Sequence, residues 1–239
     1  ETRQNYIIRT SVNLSKQIHI IAANIDQVFL MITLKTPQTF PAFIDRFLVT
    51  AQAYEINVVL LFNKIDIYNK EELNAMTCLK GVYQKIGYEC HEVVATDSKT
   101  LEIIYSKMKG KVSMFCGHSG VGKSTLVNAI SPGLGLKTGI VSKQNQQGQH
   151  TTTFAEMFDL GASRIIDTPG IKGFGIVGIK PEELSGYFME FAILKGGCKF
   201  NNCLHTSEPD CAVKEAIEQG IKGLDIDSQS YNVLMKAAD

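Results

Sequence analysis

An α/β fold built on a mostly parallel sheet is predicted by three observations. Short apolar runs alternate with segments of helical periodicity from residue 28 onward. A glycine-rich loop, Gly117-His118-Ser119-Gly120-Val121-Gly122-Lys123-Ser124, stands between one such run and one such segment. Polar motifs follow two further apolar runs, as they do where an open sheet binds ligands at the carboxyl ends of its strands. The 239 residues are 44% hydrophobic, enough for one large core and a smaller one. Lys plus Arg and Asp plus Glu number 24 each, so overall charge gives no nucleic-acid signal and any such contact must come from a local patch. No apolar run approaches bilayer length, and the first residues have neither the basic start nor the apolar core of a signal peptide. The expectation is a cytoplasmic protein without membrane contact.

Residues 1–27 alternate in places, as in Tyr6-Ile7-Ile8-Arg9 and Ile18-His19-Ile20-Ile21. They read either as the last strands of a truncated N-terminal β domain or as a short arm on the main sheet. Val28 to Thr33 is a buried strand, Pro41 to Tyr54 a helix with Ile44, Phe47, Leu48 and Ala51 on one face, and Val58 to Phe62 a second continuous apolar strand. Lys70 to Ile86 is a helix burying Leu73, Met76, Leu79, Val82 and Ile86 and stopping at Gly87. Strand Glu89 to Val94, helix Leu101 to Met108 and strand Lys111 to Phe115 then lead into the glycine-rich loop. Past the following helix, a polar segment from Ser131 to Thr153 is long enough to be a functional loop, and strands follow at Phe154 to Leu160 and Ser163 to Ile166.

The loop satisfies G-x-x-x-x-G-K-[ST], the phosphate loop. Its turn, from Ser119 through Gly120, Val121, Gly122 and Lys123 to Ser124 and Thr125, is expected to point backbone N–H groups at phosphates. Lys123 would reach the β- and γ-oxygens, and the Ser124 hydroxyl would ligate Mg²⁺. The loop alone does not separate ATP from GTP. Asn63-Lys64-Ile65-Asp66, at the carboxyl end of the second strand, is N-K-x-D. A carboxylate at Asp66 can accept from both the ring N1–H and the exocyclic amine of guanine, a donor pair that adenine lacks, while the Lys64 stem lies along the base. Asp167-Thr168-Pro169-Gly170 is D-x-x-G, in which Asp167 holds Mg²⁺ through water and the Gly170 N–H meets the γ-phosphate. A hydroxyl of the run Thr151-Thr152-Thr153, assigned to Thr152, would complete the Mg²⁺ shell, although such a run also suits the start of a strand. These elements converge on Mg-GTP.

The usual GTPase order is phosphate loop, D-x-x-G, N-K-x-D. Here N-K-x-D comes first, so the chain reads as a circular permutation, and the segment after D-x-x-G runs directly into the C-terminal part. Near that end, Cys198-x₄-Cys203-x-His205-x₅-Cys211 offers three thiolates and one imidazole, a closed tetrahedral set for one structural Zn²⁺. The flanking helices, near Cys211 to Gln219 and Ser228 to Ala238, have too little core to stand without it. Cys78, Cys90 and Cys116 read as core residues, and His118 as a spacer.

The permuted order, the phosphate loop Gly-His-Ser-Gly-Val-Gly-Lys-Ser-Thr, His150-Thr151-Thr152-Thr153 and the Cys/His cluster together resemble the RsgA (YjeQ) family, bacterial GTPases that depend on the small ribosomal subunit. The resemblance runs from Ile21 to Cys211 and implies three regions. Residues 1–27 would end an RNA-binding OB domain, 28–178 would be a permuted GTPase domain, and 179–239 a helical zinc-binding domain. It further implies GTP hydrolysis stimulated by the small subunit and its rRNA, a role in late maturation of that subunit, and a monomeric state. The base-contacting loop, Ser-Ala-like in the family, is Val94-Ala95 here, leaving the Ala95 N–H to meet the guanine O6. Position 149, often basic in the family, is Gln149.

Many GTPases orient the attacking water with a Gln just after D-x-x-G, but Ile171 stands there and cannot hydrogen-bond water. The resemblance points to His150 as the substitute, alongside Lys123 as the charge-neutralising catalytic residue; His150 contacting only phosphate or rRNA is the other reading. A nucleotide-gated ribosome-binding module, in which hydrolysis is incidental, stays open because of Ile171. An ATPase is disfavoured by Asp66.

Overall fold

The computed structural model describes residues 5–10, 18–136, 155–168 and 178–219. Strands β1 (Tyr6–Thr10) and β2 (Ile18–Ala23) pair antiparallel as a separate two-stranded sheet. Asn5 fastens it to the main body, its side-chain amide donating to the Ile25 carbonyl at 2.8 Å and its Oδ1 accepting from the Ile25 N–H at 3.1 Å. In chain order follow β3 (Gln27–Ile32), α1 (Pro41–Ala53), β4 (Asn57–Asn63), α2 (Lys70–Ile86), β5 (Glu89–Val93), α3 (Ser98–Met108), β6 (Val112–Cys116), α4 (Lys123–Ile130), β7 (Glu156–Asp159) and β8 (Arg164–Asp167).

The six-stranded sheet has the order β5-β4-β3-β6-β8-β7, parallel except for the antiparallel edge strand β7. The chain builds outward from β3 through β4 to β5 and then returns to place β6 on the other side of β3. That reversal opens a crevice at the carboxyl ends of β3 and β6, the place where doubly wound sheets bind their ligands.

Strand alternation divides the core. Val28, Leu30 and Ile32, with Val58, Leu60 and Phe62, face α1 and α2; Phe29 and Met31, with Val59 and Leu61, face α3 and α4. A strand covered on both faces can be apolar at every position, which is why β3 and β4 read as continuous hydrophobic runs. Asn69 and Glu72 form a capping box at the start of α2, and Gly87 ends it at φ 112°. Asp97 caps α3 by accepting from the Thr100 N–H at 3.2 Å, which starts that helix at Ser98 rather than Leu101.

Two sequence expectations need correction. Cys78 is exposed on α2, whereas Cys90 and Cys116 are buried as expected, and burial pushes both thiols up to about 12. The deep residues of α2 are Met76 and Tyr83; Leu73, Leu79 and Ile86 are only partly buried. Tyr83 can be buried because its hydroxyl donates to Asp45 Oδ1 at 2.7 Å.

A third cluster gathers Ile179, Leu184, Phe188, Phe191, Val213 and Ala216 with Cys203 and Cys211 around short helices α5 (Pro181–Leu184), α6 (Met189–Leu194) and α7 (Ala212–Glu218), and it includes Val49 of α1. The helix expected over Ser228 to Ala238 lies outside the described residues. Among the described residues, no helix is long and apolar enough to cross a membrane.

Candidate functional site

The glycine-rich loop leaves β6 and enters α4 at the crevice. At Gly117, φ is 143° and an added Cβ would lie 2.6 Å from the Met31 carbonyl oxygen; at Gly122, φ is 104° and a Cβ would lie 2.4 Å from Asn63 Nδ2. Only glycine fits either place. The room so kept lets the loop close against β3 and against the N-K-x-D turn. Ser119 and Lys123 are buried, while Ser124 and Thr125 are half-buried on the first turn of α4. Lys123 Nζ donates to the carbonyls of Gly117 and His118, each at 2.9 Å, which holds the ammonium inside the loop's curl. Burial lowers the Lys123 pKa, opposed by Cys116 and Asp167.

Asn63 and Lys64 tie this loop to the end of β4. Asn63 Nδ2 donates to the Val121 carbonyl at 2.8 Å, and Lys64 Nζ donates to the carbonyls of Gly120 at 2.7 Å and Thr36 at 2.6 Å. Burial lowers the Lys64 pKa, with Asp66 acting in the opposite sense. Lys64 takes a left-handed φ of 65°, and a short 3₁₀ turn, Ile65–Ile67, then presents Asp66 on the surface. The tetrapeptide therefore both braces the phosphate loop and offers a carboxylate beside it. Ala95 is buried in the loop after β5, next to Val94, whose N–H donates to Thr100 Oγ1 at 3.2 Å.

Asp167 is fully buried at the end of β8, in register with Phe115 just before the phosphate loop. Thr168 Oγ1 donates to the Phe115 carbonyl at 2.8 Å, so the D-x-x-G strand end and the loop's entry strand are joined. A buried carboxylate, a hydroxyl on the first turn of α4 and a cradle that only glycine permits form a site suited to a nucleotide with a hard cation. His150, Thr152 and Gly170 lie outside the described residues.

The C-terminal cluster is assembled as the spacing suggested. The donor atoms of Cys198, Cys203, His205 and Cys211 all lie within 4.8 Å of one another. Cys198 Sγ is 3.6 Å from His205 Nδ1 and 4.0 Å from Cys211 Sγ, and His205 Nδ1 is 3.3 Å from Cys211 Sγ. A tetrahedral thiolate site with bonds of about 2.3 Å has ligand edges near ~3.8 Å, so these residues can hold a metal ion. Burial, followed by the neighbouring thiols, pushes the Cys203 thiol up to about 11, which a cation would reverse. Glu208 shapes the loop between the ligands by accepting from the N–H groups of Leu204, Thr206 and Ser207 at 2.9, 3.0 and 3.1 Å.

The family model described as RsgA GTPase matches residues 1–177. The chain belongs to the RsgA GTPase family. It is 62% identical over 218 residues to the small ribosomal subunit biogenesis GTPase RsgA of Flavobacterium johnsoniae, covering 91% of this chain and 67% of that one. Crystal structures agree. YjeQ from Thermotoga maritima matches with a TM-score of 0.75 at 34% identity, over 91% of this chain and 72% of its own. YloQ, described as a circularly permuted GTPase, matches with a TM-score of 0.73 at 27% identity, over 95% and 77%. The chain is thus a GTP hydrolase on a permuted sheet.

Sequence reasoning missed Thr168, Glu208 and Tyr68. Thr168 was visible only as the variable second residue of D-x-x-G. Tyr68, buried beside the N-K-x-D turn, and Glu208 belong to no spacing pattern, so nothing in the sequence marked them.

Proposed function

We propose that this chain hydrolyses GTP in response to the small ribosomal subunit and thereby acts in late maturation of that subunit. The observation that carries this is the joint bracing of the phosphate loop by Asn63 and Lys64 next to Asp66, in a chain 62% identical to a protein named a small ribosomal subunit biogenesis GTPase. Asp66 would read guanine, Ala95 N–H would meet its O6, and the amides from Ser119 to Thr125 would cradle the phosphates. Ser124, Thr152 and Asp167 would hold Mg²⁺, which when bound offsets charge on the β- and γ-oxygens, while Gly170 N–H meets the γ-phosphate. Lys123 supplies a fixed positive charge, and its two carbonyl bonds keep it positioned before substrate arrives. His150, as neutral imidazole, accepts a hydrogen bond from the attacking water when its loop folds over the nucleotide.

Cys198, Cys203, His205 and Cys211 would bind one structural Zn²⁺, since three thiolates and an imidazole favour zinc over hard cations and a closed set leaves no position for substrate. The three regions divide at residues 27 and 178. The partners are the small subunit and its rRNA, and the chain acts as a cytoplasmic monomer.

The test is GTP turnover alone and with purified small subunits, using ATP and large subunits as controls. Stimulation by small subunits with GTP only is the expected result. Equal turnover with and without them would overturn the proposal. Two variants probe the parts. Asp66→Asn should weaken GTP binding by about tenfold or more, the loss of a charged hydrogen bond, and equal affinity in a titration would refute the guanine role. His150→Ala should remove subunit-stimulated turnover while GTP affinity stays within about twofold, as for an interaction made only in the transition state. Unchanged stimulated turnover in that variant would remove His150 from the mechanism.

A further inference from the structure

The N-K-x-D turn is held by a residue outside the motif. Tyr68 is buried, and its hydroxyl accepts from the Leu34 N–H at 2.8 Å while donating to the Asn63 carbonyl at 2.9 Å. The side chain thus folds back over the turn it ends. Within that turn the Ile67 N–H bonds the Lys64 carbonyl at 3.2 Å, and the Tyr68 N–H bonds the Ile65 carbonyl at 3.4 Å. The segment from Asn63 to Tyr68 is therefore closed on itself, with Asp66 at its exposed side.

The same hydroxyl fastens the turn to the segment after β3. That segment is gripped at three successive residues: Leu34 by Tyr68, Lys35 by Glu72 through two bonds of 2.6 and 2.7 Å, and the Thr36 carbonyl by Lys64. Lys35 Nζ also sits 5.8 Å from the centre of the Tyr68 ring, and Glu72 is the partner of Asn69 in the capping box of α2. Burial raises the Tyr68 pKa, so the hydroxyl keeps its proton for Asn63. Among the described residues, Asp66 is joined to the body of the protein through this turn, so its place relative to a base depends on what fixes Asn63 and Lys64 from behind.

We propose that Tyr68 is a positioning residue for base selectivity, its hydroxyl bridge between Leu34 and Asn63 fixing the turn that aims Asp66 at guanine. The proposal rests on the GTP reading given above and deepens it. Removing the hydroxyl leaves the Leu34 N–H and the Asn63 carbonyl without it, and the turn gains freedom. Any loosening passed to the phosphate loop through Asn63 and Lys64 weakens GTP and ITP alike, since both carry the same triphosphate.

Affinities for GTP and ITP separate these effects, because inosine lacks the exocyclic amine that Asp66 accepts from. The intact protein should prefer GTP by roughly ten- to a hundredfold, the range for a hydrogen bond to a charged group. Tyr68→Phe should lower that preference by about fivefold. A purely structural loss would weaken GTP and ITP alike and leave the ratio unchanged, which overturns the proposal. In an Asp66→Asn background, Tyr68→Phe should change the ratio no further, whereas an equal additional drop would show that Tyr68 acts by another route and also overturns it. If the intact protein shows no preference for GTP, the guanine reading itself fails, and this inference with it; a preference retained in full by Tyr68→Phe refutes Tyr68 alone.

Discussion

Replacing Gly122 with alanine is expected to abolish useful GTP binding while the protein stays folded. An L-residue at φ 104° is strained, and the new Cβ would stand 2.4 Å from Asn63 Nδ2. The Asn63 side chain is almost fully buried, so it cannot simply swing into solvent. It must give up its bond to the Val121 carbonyl, or the loop must shift away from β4. Either response misaligns the amides proposed to cradle phosphate and the turn proposed to read the base. Backbone strain of about 1–3 kcal/mol and a lost buried hydrogen bond of similar size together predict an affinity loss of about 100-fold or more. Titration with GTP and with GDP measures it, and circular dichroism checks the fold. An affinity within threefold of the parent would mean that the loop does not form this cradle.

Loss of the metal is expected to unfold the C-terminal helices and spare the sheet. The third core cluster is small, and two of its buried members, Cys203 and Cys211, belong to the Cys/His group that could hold a metal ion. Without a cation, several buried donors face one another with no shared partner ion, and the Cys203 thiol is driven to about 11. Structural zinc contributes about 10 kcal/mol or more to small folds of this kind, far beyond what such a cluster supplies by burial. Chelation, or Cys203→Ser, should therefore erase amide-exchange protection in α6 and α7 and leave that of β3 and β4 within about twofold. One zinc per chain should be found in the untreated protein. Full protection of α7 in protein stripped of metal would show that packing alone holds this region.

Much of the site was legible because its parts are local. A phosphate loop, N-K-x-D and D-x-x-G each lie within a few consecutive residues, and each follows an apolar run that a doubly covered strand requires. Their order along the chain revealed the permutation directly. The candidate metal ligands were legible for a similar reason, since Cys198 to Cys211 span one short loop and one helix start. Burial was less legible. Cys78 and Tyr83 show why: on α2 the inward direction depends on helix phase, and a Tyr is buried only if a partner such as Asp45 awaits its hydroxyl.

By itself, then, the sequence determined the α/β class, the permuted order, the nucleotide motifs and the Cys/His set that could hold a metal ion, all encoded by residues close together in the chain. Only the tertiary structure decided how the motifs are held. Asn63 meets Val121, Lys64 meets Gly120 and Thr36, Thr168 meets Phe115, and Tyr68 spans Leu34 and Asn63. Most of these bonds join residues far apart in sequence that become neighbours once β3, β4, β6 and β8 pair, and pairing is a property of the whole sheet. No local pattern carries that information, because a backbone carbonyl looks the same in every residue until the fold brings a donor to it.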